Sequence, residues 1–102
     1  MLIRELPRPG KLADGVIATG VPDEVLSVVD VPADDMLNLR TGPGTEFEIV
    51  GELSPNATGI IAPGFGATAS NGSLWVWVVW PGLESDEPLV GWAYTGYLSA
   101  EG

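Results

Sequence analysis

The segment Leu37-Asn38-Leu39-Arg40-Thr41-Gly42-Pro43-Gly44-Thr45 leaves the backbone little choice. Leu37 and Leu39 alternate with Asn38 and Arg40, the period-two pattern of a strand with one buried face. Gly42-Pro43-Gly44 then stops that strand, because proline fixes φ and glycine admits backbone shapes other residues avoid. A strand running into an obligatory turn excludes a helix here. Similar punctuation recurs along the chain. Fourteen Gly and nine Pro in 102 residues leave no long stretch of helical period.

Between the breaks lie short β-prone runs. Val25–Val31 is rich in β-branched residues and is closed by Pro32. Phe47–Leu53 alternates, which predicts Phe47, Ile49 and Leu53 on one face and Glu48 and Glu52 on the other. Thr58–Ala62, Leu74–Trp80 and Leu89–Tyr94 complete a set of six strands, with a tight turn expected at Thr95-Gly96-Tyr97. Residues 63–73 read as a loop, with Asn71-Gly72 its strongest turn signal. Residues 81–88 read as an acidic loop carrying Glu84, Asp86 and Glu87. Residues 1–23 are broken by Pro7, Pro9, Gly10, Gly15, Gly20 and Pro22 and read as an extended arm. The predicted fold class is all-β: an arm over 1–23, then a small five- to six-stranded barrel over 24–100.

Composition narrows the chemistry. Cysteine and histidine are absent, which removes thiolate chemistry, disulfides and the commonest general base. No Ser or Thr has an evident base beside it, so an enzyme is not expected and no cofactor is implied. Fourteen acids against four bases give a net charge of −10, which repels phosphate backbones and makes nucleic acid an unsuitable partner. Three of the bases, Arg4, Arg8 and Lys11, sit in the arm; Arg40 is the only one in the body. The longest apolar run, Leu74–Trp80, is far shorter than the ~20 residues a membrane-spanning helix needs. The N-terminus lacks the apolar core of a signal peptide. A cytoplasmic protein is expected, or an envelope or extracellular one if Met1 begins a mature or excised form.

The ordered motifs resemble the bacterial SH3-like (SH3b) domain family. They are the run Leu37–Thr45, with Leu39 where the family has Val; Gly51-Glu52-Leu53; Trp75 with Val78; Gly91-Trp92-Ala93; and Tyr97-Leu98. The resemblance covers about residues 25–99. It implies an SH3-like barrel and a non-catalytic module that binds cell-wall glycan or peptide, or an extended protein segment. The chain departs from the family in its longer loops at 63–73 and 81–88, and in three Trp on one strand where one is usual.

Trp75 and Trp77 fall on one face of their strand, Val76, Val78 and Trp80 on the other. Only one face can point into a barrel, so the Trp stripe needs a cover: a loop, the arm or a partner. Trp75, Trp77, Tyr94 and Tyr97 are the candidate ligand- or partner-binding residues. Arg40, Gly42 and Pro43 are candidate turn-forming residues, with Arg40 bracing the turn more readily than gripping a ligand carboxylate. Asp34-Asp35 and the acids at 84–87 lack the spacing of a calcium loop, so no metal site is expected. Asn56-Ala57-Thr58 and Asn71-Gly72-Ser73 fit the glycosylation pattern but read as turns. The alternative function is a small structural subunit of a larger assembly. It would dock by its arm, through Leu2, Ile3, Leu6, Leu12, Val16 and Ile17, and by its Trp-rich strand, the arm lying across a partner more than along its own barrel.

Overall fold

The computed structural model describes residues 9–12, 15–81 and 88–101. Leu2, Ile3, Arg4, Leu6 and Arg8 of the arm, and Glu84, Asp86 and Glu87 of the acidic loop, lie outside the described residues. The fold is all-β. Among the described residues nine strands run in chain order: β1 Ile17–Gly20, β2 Glu24–Val28, β3 Leu37–Arg40, β4 Ile49–Leu53, β5 Ile60–Ala62, β6 Phe65–Thr68, β7 Leu74–Trp80, β8 Leu89–Tyr94 and β9 Leu98–Ala100. A 3-10 turn, Thr95–Tyr97, joins β8 to β9. Every strand pairing is antiparallel.

The hydrogen-bonded order is β4-β3-β8-β7-β5-β2-β9, with β6 also on β7 and β1 on β6. The ladder ends at β4 and β9 and is not closed into a barrel. Nine strands replace the expected five to six. The extra three come from segments whose composition hid them. Ile17–Gly20 lies in the supposed arm, Phe65–Thr68 in the supposed loop, and Leu98–Ala100 beyond the last predicted strand. Phe65-Gly66-Ala67-Thr68 is mostly small residues, which carry little β propensity of their own. Packing against β7 sets their conformation.

β7 organises the molecule. Its β-branched and aromatic residues suit a strand covered on both sides. One edge pairs with β8 over all but its first residue, from Trp75↔Tyr94 to Trp80↔Leu89. The other edge is shared: β6 takes the first half, through Thr68↔Leu74, and β5 the second, through Ile61↔Val79. Between β5 and β6 the chain breaks direction at Pro63-Gly64, where Gly64 has φ +105, a conformation that disfavours any side chain.

The two faces of β7 feed two cores. Val76 and Val78 join Leu26, Leu37, Leu39, Leu53 and Ile60 in the first. Trp75 and Trp77 join Ala67, Ala69 and Trp92 in the second, against which Leu12, Val16, Phe65 and Val90 pack. The Trp stripe is therefore covered by the chain itself. Leu12 and Val16 dock there as anchors of the arm, whereas Ile17 is 68% exposed and anchors nothing.

One face assignment is reversed. Leu53 is fully buried, yet Ile49 is half exposed. The β3–β4 register runs Leu37↔Leu53, Asn38↔Glu52, Leu39↔Gly51 and then Arg40↔Ile49, skipping Val50. That extra residue is a β-bulge, which flips the parity of everything before it.

Candidate functional site

The turn after β3 is built as a rigid corner. Pro43 is fully buried and Gly42 is buried against the Phe47 ring. A Cβ at position 42 would lie 2.7 Å from that ring, so only glycine allows so close an approach. Arg40 closes the corner. Its Nη1 donates to the carbonyl oxygens of Thr45 and Phe47, both at 3.0 Å. Thr41 N–H donates to Glu48 O at 2.9 Å across the same loop. Arg40→Ala orphans the part-buried Phe47 carbonyl, while the exposed Thr45 carbonyl can turn to water, and should lower stability by about 1–3 kcal/mol. Thermal unfolding checks this; an unchanged melting curve with lost ligand binding would assign Arg40 to ligand contact instead.

Beside this corner lies an open groove of about 680 Å³. Its floor is aromatic. Trp75 and Tyr94 meet at 5.8 Å between ring centroids, and Tyr94 meets Tyr97 edge-on at 5.7 Å. Tyr94 and Tyr97 are 37% and 41% exposed, while Trp75 is 5% exposed. Trp75 is fixed by a short relay at the rim. Its Nε1–H donates to Ser73 Oγ at 3.0 Å, and Ser73 N–H and Oγ–H both donate to Asn71 Oδ1.

One wall of the groove comes from the segment between β2 and β3, including Asp30, Pro32, Asp35 and Met36. Val29 N–H donates to Tyr97 O at 2.9 Å, which locks this wall to the aromatic floor. Asp30, the next residue, is the one described non-glycine residue with positive φ, at 59°. Aspartate tolerates that conformation better than most side chains. Arg40 and Thr45 form the far end.

Three of the four candidate binding residues thus meet in one groove: Trp75, Tyr94 and Tyr97. Trp77 does not. It is 8% exposed and packs edge-on against Trp92 at 5.8 Å in the second core. Trp80, on the opposite face, donates its Nε1–H to Thr58 O at 2.9 Å. Asp30, Ser73 and Asn71 carry no sequence signal for the groove, since their placement depends on contacts distant in the chain. Asp34 and Asp35 sit at a turn where Asp35 Oδ1 accepts from Met36 N–H at 2.8 Å. Among the described residues no group of three or more acidic side chains is placed to hold a metal ion. No helix among them is long and apolar enough to cross a membrane.

Of the hydroxyl-bearing residues that line the groove, Thr45, Ser73, Tyr94 and Tyr97, Ser73 has its Oγ engaged with Asn71 and Trp75. No family model, no curated protein and no solved structure matches this chain.

Proposed function

We propose that this chain is a non-catalytic binding module of the bacterial SH3-like type that holds an extended, basic peptide segment in its aromatic groove. The segment is a peptide of the cell wall or a stretch of another protein; both offer the same chemistry. The observation that carries the reading is the exposed Tyr94–Tyr97 pair standing beside Asp30 and Asp35. Aromatic faces give an extended chain apolar contact at little entropic cost. A lysine or arginine above them gains both from the rings and from the two carboxylates. The net charge of −10 draws such a ligand in from a distance.

The order of motifs supports an SH3-like assignment beyond the all-β class: strand and Gly-Pro corner at Leu37–Thr45, Gly91-Trp92 on β8, and a 3-10 turn before the last strand. The preformed wall, tied by Val29 to Tyr97, supports binding without rearrangement. The alternative, a structural subunit docking through its Trp-rich strand, has less support, because Trp75 and Trp77 are buried by the chain's own β6, Leu12 and Val16.

The test is a calorimetric or fluorescence titration with extended lysine-containing peptides and their glutamine counterparts, alongside a pull-down on cell-wall material. Lysine peptides should bind and glutamine peptides bind several-fold more weakly. Added salt should weaken the lysine complex, since exposed charges are screened beyond ~8 Å at physiological ionic strength. Asp30→Asn and Asp35→Asn should each cost about 0.2–1 kcal/mol, the range of rim charge pairs. Equal affinity for both peptide sets, flat from low to high salt, would remove the charge component. Absence of binding to every peptide and wall fraction would sink the reading.

A further inference from the structure

Arg40 is the only base in a body otherwise rich in acids, and it lines the groove. Bracing the corner uses part of its guanidinium. Nη1 donates to the carbonyl oxygens of Thr45 and Phe47. Nε and Nη2 carry further donors, and no described acceptor takes them. No described carboxylate forms an ion pair with the guanidinium, although the chain holds fourteen acids. Glu46, on the same corner, lays its carboxylate over Gly44 instead. A guanidinium keeps its proton at any working pH, so this positive charge is permanent and uncompensated.

The opposite charge stands in the same groove, on Asp30 and Asp35. Neither pairs with Arg40. Each side is fixed by its own contacts: Arg40 by the corner, and the acidic wall by Val29 N–H on the Tyr97 carbonyl. The charges are thus held apart, and the groove is dipolar. A ligand that is only cationic satisfies the two acids and leaves Arg40 facing like charge. A ligand that also carries a carboxylate satisfies both. Nε and Nη2 lie on one edge of the planar fork, the edge that takes a carboxylate side-on through two hydrogen bonds. The volume of about 680 Å³ is that of a cleft for a drug-sized ligand, which is room for the end of a peptide.

We propose that the groove reads the free C-terminal end of a basic peptide. The terminal carboxylate sits on the Arg40 guanidinium, and a lysine or arginine upstream of it sits on Asp30 and Asp35. This rests on the groove being the peptide site, and it adds a direction to the bound chain and a requirement for a free end.

Titration of the full chain with short lysine peptides that differ only at the carboxyl end tests this. The free acid should bind about three- to tenfold tighter than the C-terminal amide. Net charge alone predicts the reverse, because the amide is more positive and the protein carries −10. Arg40→Gln, measured below its melting transition, should erase the preference for the acid and keep the preference for lysine over glutamine. Asp35→Asn should do the converse. The same peptides ending in a D-residue separate the two sources of a free end: tighter binding of the D-form points to a cell-wall peptide, tighter binding of the L-form to a protein tail. Equal affinity for acid and amide, with lysine peptides still preferred over glutamine ones, overturns the proposal and leaves the basic-peptide groove in place. A preference for the acid that persists in Arg40→Gln also overturns it, since the carboxylate would then sit elsewhere. Failure of every peptide to bind removes the groove and this reading of it together.

Discussion

Replacing Trp92 with alanine should destabilise the fold by about 3–5 kcal/mol, the range for loss of a buried Trp. Trp92 is 3% exposed and lies opposite Trp77 on neighbouring strands, with the rings edge-on at 5.8 Å. The rest of that core is Ala67, Ala69 and Trp75. Alanines cannot swing in to fill the space an indole leaves, so the cavity persists and the cost falls in the upper part of the range. Each kcal/mol lowers Tm by about 4–8 °C in a domain of this size, so the fall should exceed about 12 °C. Leu53→Ala provides the comparison from the first core, where Leu53 is fully buried. Both cores share β7, so both variants should unfold in one transition. A loss below about 1 kcal/mol, smaller than any such Trp deletion should give, would mean that the Trp-rich layer is loosely attached and not part of the cooperative unit.

That shared strand explains what could be read from the chain and what could not. Leu74–Trp80 announces a strand, and its parity separates Trp75 and Trp77 from Val76 and Val78. Leu37 and Leu39 are buried as their alternation implies. These readings depend on neighbours in sequence, so they survive. Ile49 fails because one extra residue, Val50, changes the face, and a bulge leaves no mark in an alternating run. β6 escapes notice because Gly66 and Ala67 have no propensity to advertise; Ala67 is fully buried only because β1 and Trp75 lie on either side of it.

The groove divides in the same way. Tyr94 and Tyr97 are adjacent through the 3-10 turn, so their pairing is local and legible. The acidic wall is not. Asp30 reaches the groove because Val29 N–H bonds to the Tyr97 carbonyl, a contact between the segment after β2 and the far end of the chain. Its left-handed backbone is equally invisible in a run of valines. The aromatic half of the site was open to sequence reading, and the charged half needed the tertiary fold.

Tyr94→Ala should abolish most ligand affinity while leaving the domain folded. Tyr94 stands between the Trp75 and Tyr97 rings and links them into one floor. Central aromatic anchors commonly account for 2 kcal/mol or more of binding when truncated, and about 2 kcal/mol is roughly a thirtyfold loss. Stability should change less, since the ring is 37% exposed and its two aromatic contacts are each worth about 0.5–1.5 kcal/mol. Gly96 offers an independent way to disturb the same ring. A Cβ there would overlap Tyr94, whose ring covers the glycine, so Gly96→Ala should push the ring aside without deleting it. Both variants should lose lysine-peptide binding, and Tyr94→Phe should keep most of it, because the face and not the hydroxyl makes the contact. If Tyr94→Ala binds within about twofold of the parent, well inside the range of an energetically neutral contact, the aromatic floor is not the binding surface. The acidic wall alone would then have to account for any affinity, which steep salt dependence in the same variant would reveal.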